Sequence, residues 1–424
     1  MEGRALVVTV GTGTRVDSDI VSPLKKSIEQ SQARRVVLLA SVVSDQYARR
    51  IVAELGLDEK EAAIAILEDI DSANAVFERS LEVLRDLRGR GFEPAQIDVD
   101  YTSGTKPMSA GLALAATAFG CATMKYIGGP RDKGVVIAGR EEIKSIGTDI
   151  VRAHHELEIA RRLFSRLQFD SVLGVLPDSQ AGLLDADAQS ELAQLRALAQ
   201  AYSAWDKFDH ATFVETHPKT EVASANLAPF VLARTRWNRL SQMAADRKNG
   251  RFSQDLLADL FNNATRRMHE GRHDDAVARL YRFVEMLAQH RLNRAPRSID
   301  TSDVKRKALP ETLPEDVERW FDIAENGDKR AKVAIGLQQA YRLLHVLDDD
   351  LATRYWDRTK QRRDELLSRR NNSILAHGVN SVSGVDATAL RDDARELALS
   401  VIEDFDERCR ALQFPWIAAE GSEG

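Results

Sequence analysis

The first third of the chain alternates between short apolar runs and amphipathic stretches. Leu6–Val10, Val36–Ala40 and Ala62–Leu67 are nearly unbroken apolar segments, with Thr9 the one polar residue among them. Runs of that length without alternation mark strands buried on both faces, as in a parallel sheet covered by helices. Ile97–Thr102 reads as a fourth strand, and Met124–Ile127 and Val135–Ala138 are expected to complete the sheet. Between them Ser44–Leu55, Ser72–Leu87 and Pro107–Phe119 carry helical spacing, and Ser22-Pro23 reads as an N-cap followed by proline in the first turn. Strand–helix alternation with short loops predicts an α/β fold with a Rossmann-like, mostly parallel sheet.

From about Ile150 the pattern changes. Glycine becomes sparse and helical periodicity takes over. Helices are predicted over Glu156–Leu167, Ala188–Tyr202, Gln254–His269, Asp274–Arg291, Lys332–Asp348, Asp357–Arg369 and Ala387–Leu412. A polar break at Asp246–Phe252 divides this all-α part. The expected organisation is a sheet domain over 1–147, a helical connector over 148–250, a helical domain over 251–415 and a tail over 416–424.

Two strand ends carry candidate chemistry. The first strand runs into Gly11-Thr12-Gly13-Thr14, and the fourth into Thr102-Ser103-Gly104-Thr105-Lys106, just before a helix. Glycines let a backbone approach a ligand closely, and hydroxyls with helix N-terminal amides bind phosphate oxygens. In an open α/β sheet, ligands bind beyond such strand ends. Each turn alone is also what an ordinary strand–helix connection looks like; together they favour a bound nucleotide. The dinucleotide fingerprint would need glycine where Val16 stands, and no P-loop sequence occurs.

The second candidate is Arg370-Asn371-Asn372-Ser373-Ile374-Leu375-Ala376-His377-Gly378. Arg370 and His377 are seven residues apart, which on a helix puts them on one face. RNA can be cut without a metal by attack of the ribose 2′-hydroxyl on its own phosphate. His377 suits the proton transfer, Arg370 the charge on phosphorus, and Asn371 the orientation of phosphate or imidazole. An isolated pair at this spacing is commonly just a helix-end histidine and an exposed arginine. His269-Glu270-Gly271-Arg272-His273 matches the zinc-protease pattern H-E-x-x-H, but Gly271 reads as a break between two helices, so no metal site is expected.

Composition narrows the classes. Of 424 residues 43% are hydrophobic and 29% charged, as in an ordinary globular protein. No run approaches the length of a membrane span, and the opening residues lead straight into a strand, so a cytoplasmic protein with no membrane partner is expected. Cys121 and Cys409 offer neither a disulfide framework nor zinc spacing. The net charge of −6 argues against non-specific coating of nucleic acid, so RNA contact must be local and DNA is not expected. One basic stretch, Arg354 to Arg370, leads into the His377 segment; it is an RNA contact or a solvated helix face.

The G-T-G-T and T-S-G-T-K-P-M-S turns resemble the CARF domain of CRISPR-associated proteins, over about residues 1–147. R-N-N-S-I-L-A-H-G resembles the motif of HEPN ribonucleases, over about 250–415. The whole chain is similar to the CARF–HEPN effector ribonucleases of type III CRISPR systems. That resemblance implies a homodimer that binds cyclic oligoadenylate at Gly11–Thr14 and Thr102–Lys106. It implies an endoribonuclease that cuts single-stranded RNA and leaves a cyclic phosphate, with no cofactor beyond the activator. A non-catalytic sensor acting through a partner protein, or slow degradation of the ligand by the first domain itself, are the alternatives.

Overall fold

The computed structural model describes residues 3–13, 19–132, 135–136, 140, 142–176, 185–218, 224–294, 296–327, 332–357 and 381–420. They form two compact units, Met1–Ile159 with Val175–Gln189, and Ala160–Gly174 with Ser190–Gly424.

The first unit is a six-stranded sheet. Its strands are β1 (Ala5–Val10), β2 (Arg35–Ser41), β3 (Ala62–Leu67), β4 (Ile97–Asp100) and β5 (Thr123–Gly128), then β8 (Glu142–Gly147) at the edge, in the order β3-β2-β1-β4-β5-β8. The first five are mutually parallel, in the register Val7↔Val37 and Val7↔Val99. Every residue of β1 and β2 is buried. Period-two alternation sends Ala5, Val7, Val37, Leu39 and Val99 to one face and Leu6, Val8, Val10, Leu38 and Ala40 to the other. The helices α3 (Ala73–Gly89) and α4 (Lys106–Phe119) cover the first face; α1 (Val21–Ser31) and α2 (Asp45–Leu55) cover the second. Gly111 lets α3 and α4 touch, since a Cβ there would lie 2.7 Å from Val76 Cβ.

Two expectations need correcting in this unit. Val135–Val136 does not join the main sheet; as β7 it pairs with β6 (Arg131–Asp132) in a separate two-stranded ribbon. The sixth strand is instead β8, antiparallel to β5. Its residues are mostly exposed and include Glu142 and Lys144, so it lacks the apolar run that marks a buried strand. The cap of α1 also lies upstream of Ser22: the Asp19 carboxylate accepts the N–H groups of Val21 and Ser22, both at 3.1 Å.

The remainder is helical. The chain passes from the first unit into the second within α5 (Asp149–Ser165), followed by α6 (Phe169–Val175), α7 (Ala186–Asp206), α8 (His210–Thr216), α9 (Arg234–Lys248), α10 (Gln254–His269) and α11 (His273–Asn293). Then come α12 (Glu315–Gly327), α13 (Leu337–Val346), α14 (Asp350–Asp357), α15 (Gly384–Leu399), α16 (Phe405–Leu412) and α17 (Pro415–Glu420). The helix expected over Lys332–Asp348 begins five residues later. Residues 332–336 are extended, with Val304 and Ile335 exchanging backbone bonds with Val333 and Thr301 at 2.9 Å. Ala387–Leu412 is two helices rather than one, parted where Ile402 turns into the core. Asp357–Arg369 lies outside the described residues beyond Asp357. Among the described residues no helix is long and apolar enough to cross a membrane.

Candidate functional site

The two glycine- and hydroxyl-rich turns come together in space. β1 and β4 are adjacent and parallel, so Gly11–Gly13 and Thr102–Lys106 leave the sheet side by side at its carboxyl edge. Successive strands are added on one side of β1 as far as β3, and then on the other side from β4. The turns therefore sit where strand order reverses, the crevice in which open α/β sheets hold ligands.

Hydrogen bonds fix both turns. The Gly11 N–H donates to Ser103 Oγ at 3.0 Å. A Cβ on Gly11 would lie 2.5 Å from Gly104 N and 2.6 Å from its Cα, so only glycine permits this approach. Gly13 and Gly104 hold φ of 82° and 105°, in the region that favours glycine. Thr102 Oγ1 accepts the Ile127 N–H at 2.8 Å and donates to the Asp100 carboxylate. Thr105 is the N-cap of α4: its hydroxyl accepts the Met108 N–H at 3.3 Å and donates to the Ile70 carbonyl at 2.7 Å. Ser109 Oγ donates to the Tyr101 carbonyl at 2.8 Å.

The groups left facing outward are fewer than the sequence suggests. Thr12, Gly13, Gly104 and Lys106 are exposed, whereas Thr102, Ser103 and Thr105 are half-buried and bonded to backbone groups of Ile127, Gly11 and Ile70. Lys106, the first residue of α4, makes no ion pair among the described residues and stands beside the N-terminal amides of that helix. Thr14 lies outside the described residues.

Two features escaped sequence reasoning. Asp100 is fully buried at the end of β4, and its carboxylate accepts Thr102 N–H at 3.0 Å, the Thr102 hydroxyl and the Ser27 hydroxyl. An acid inside a strand otherwise buried was the available signal. Val42 and Val43, 75% and 65% exposed, follow β2 next to the β1 turn. Such exposure of two valines at a candidate ligand edge is the kind of apolar surface that binding covers. Asp98, also buried in β4, is held below the usual carboxylate range. Burial pulls it upward, but the hydrogen bond from Arg4 and the charge of Lys125 outweigh that.

In the second unit α10 packs against α7 and α8 through an ionic core. Arg266 is fully buried, donates to Asp206 at 3.1 Å, lies 3.7 Å from Asp259 and stacks 4.0 Å from the Phe414 ring centre. Asp259 also accepts from Trp205 Nε1 and contacts His210 Nε2, both at 2.8 Å. Gly271, at φ 71°, separates α10 from α11. His269 and His273 therefore do not share one continuous helix. Among the described residues no group of three or more His, Cys, Asp and Glu could hold a metal ion. Arg370, Asn371 and His377 lie outside the described residues.

Residues 246–400 match the family model described as the Csm6 HEPN domain. No curated protein matches the sequence. Among solved structures, Enterococcus italicus Csm6 bound to cyclic hexa-2'-fluoro-hexa-dAMP is 14% identical, with a TM-score of 0.55 over 98% of this chain and 99% of that one. At that identity the likeness is one of fold. Can2 from Sulfobacillus thermosulfidooxidans in complex with cyclic tetra-adenylate overlaps 50% of this chain and 68% of that one at 10% identity, with a TM-score of 0.24. Residues 246–400 thus match the Csm6 HEPN domain model, and the fold of the chain over nearly its whole length is like that of the Enterococcus italicus Csm6 structure.

Proposed function

We propose that the chain is a metal-independent endoribonuclease switched on by cyclic oligoadenylate. The observation that carries this reading is that the Csm6 HEPN match, residues 246–400, contains Arg370, Asn371 and His377. The adjacent turns at the switch point of the sheet supply the sensor. Thr12, Gly13, Gly104 and Lys106 meet the phosphates, and Val42 and Val43 offer an apolar surface to adenine. A ring ligand with two-fold symmetry suits an isologous homodimer, in which each contact is made twice.

In the proposed reaction the ribose 2′-oxygen attacks its adjacent phosphorus and the bond to the 5′-oxygen breaks. His377 moves a proton, worth roughly 10²–10⁴-fold. Arg370 neutralises the charge gathering on the phosphate oxygens, and Asn371 orients the phosphate. The products are a 2′,3′-cyclic phosphate and a 5′-hydroxyl, with no net addition of water. Activation requires the ligand to bind the cleaving arrangement more tightly than the resting one. The protein works in the cytoplasm on single-stranded RNA, without DNA or membrane partners.

The test is cleavage of a fluorogenic single-stranded RNA in EDTA, with cyclic tri-, tetra-, penta- and hexa-adenylate in separate wells, for the unmutated chain and His377→Ala. Cleavage with one ring size, lost in the variant, is the expected result. Intact RNA in every well with ligand bound would replace this reading with that of a non-catalytic sensor.

A further inference from the structure

Within the helical unit, residues of α9, α10 and α11 and of the turn after α7 enclose an open cavity of about 400 Å³. That volume lies in the small-ligand range of roughly 300–1,000 Å³. Lys207, Arg247, Arg251, Arg279 and Arg282 line it, and no carboxylate among the described residues does. Three of these cations have partners outside the lining: Asp170 at 2.8 Å from Lys207, Glu285 at 2.6 Å from Arg282, and Asp275 beside Arg279. Arg247 and Arg251 form no ion pair among the described residues. Burial first, then repulsion from Arg267, Arg272 and Arg266, brings the Arg279 guanidinium down to about 10.

The cavity also has aromatic walls. Phe208 holds φ 65°, a left-handed conformation that glycine usually takes where a helix closes. Its N–H bonds to the Trp205 carbonyl and that of Asp209 to the Ala204 carbonyl, both at 2.8 Å, so the strained residue is the closing one of α7. The Arg247 guanidinium lies 5.2 Å from the centre of the Phe208 ring. Phe252, Leu256 and Met286 complete the apolar side. Guanidinium groups beside aromatic and apolar walls are what one nucleotide of a flexible strand needs, phosphate on the first and base on the second.

We propose that this cavity is an accessory RNA site, taking one nucleotide of a single-stranded RNA with its phosphate on Arg247, Arg251 and Arg279 and its base against Phe208 and Phe252. The identity of the anion rests on the ribonuclease reading, whereas the basic, acid-free lining does not. The site lengthens the track that RNA follows on the helical unit and favours long strands over short ones.

The test uses the full chain carrying His377→Ala, so that RNA survives, and fluorescence anisotropy of a labelled 20-nucleotide RNA across a salt series. Adding Arg247→Glu and Arg251→Glu should weaken binding at least tenfold. It should also flatten the salt dependence by about 0.7 in log–log slope, the loss of one neutralised phosphate on a single strand. Affinity for cyclic oligoadenylate should not move. Phe208→Asn, which tolerates the left-handed backbone, should keep the melting temperature and still weaken RNA binding several-fold. Unchanged RNA affinity in both variants would overturn the proposal, as would AMP competing with RNA at equal concentration, which would make this a free-nucleotide site. Failure of the ribonuclease reading shows separately, as absence of cleavage by the unmutated chain.

Discussion

Gly11→Ala isolates the contact on which the proposed sensor depends. The added methyl carbon would stand 2.5 Å from Gly104 N, about 0.9 Å inside ordinary contact at 3.4 Å, and its neighbour is backbone that cannot rotate away. The β1 turn must therefore lift from the β4 turn, breaking the Gly11–Ser103 hydrogen bond. Overpacking costs about 1–3 kcal/mol and the bond about 0.5–1.5 kcal/mol, so a loss of about 2–4 kcal/mol is expected. At about 2–4 °C per kcal/mol for a unit of this size, the transition of the first unit falls by roughly 4–16 °C. Gly56→Ala is the control, because Gly56 has φ 63° but nothing within 4 Å, leaving only backbone strain of about 1 kcal/mol. Differential scanning fluorimetry and binding of labelled cyclic oligoadenylate read both effects. If Gly11→Ala melts and binds as Gly56→Ala does, the two turns are not in the contact described.

Three further outcomes follow from the packing. Gly111→Ala gains roughly 1 kcal/mol of helix propensity but drives a carbon to 2.7 Å from Val76 Cβ and 2.8 Å from the Ala73 carbonyl; a net loss of about 1–2 kcal/mol should lower the urea midpoint, and an increase would refute the α3–α4 contact. Arg266→Ala leaves Asp206 without one of its buried cations and should cost about 3–5 kcal/mol in urea unfolding, with a loss below 1 kcal/mol counting against the ionic core. Burial holds the His217 imidazole below its usual value, outweighing the opposing pull of the Pro218 backbone. The unfolded chain then binds that proton first, so stability rises with pH through the region around pH 6.5 and falls below it. His217→Phe should flatten the difference between urea midpoints at pH 5.5 and 7.5, and an undiminished difference would assign the dependence to other groups.

Much of the first unit was legible because its central strands are buried on both faces, which leaves apolar runs that no other element produces. α10 spans the expected residues because Ser253 caps it and Gly271 closes the turn after it. β8 was not legible: an exposed edge strand with Glu142 and Lys144 resembles a loop. α9 was missed for a similar reason, since only Leu240, Met243 and Asp246 are buried along its fifteen residues. At the two turns, the sequence marks candidate residues but not their hydrogen-bond partners. Thr102 and Thr105 read as ligand groups alongside Lys106, yet their hydroxyls are bonded to the backbone of Ile127 and Ile70. That division depends on where neighbouring carbonyls and amides fall, and Ile70 and Ile127 are distant in sequence.

The bonding of those hydroxyls bears on how the sensor would discriminate. A turn already locked by its own hydrogen bonds has little conformational freedom to surrender when a ligand arrives. Side chains ordered only upon binding typically cost about 0.5–1.5 kcal/mol each, and here that ordering precedes the encounter. A rigid edge also cannot reshape itself around a ring that is one nucleotide too large or too small. Selectivity for ring size would then arise from mismatch between two stiff partners, and would be strongest where the receptor is least adaptable.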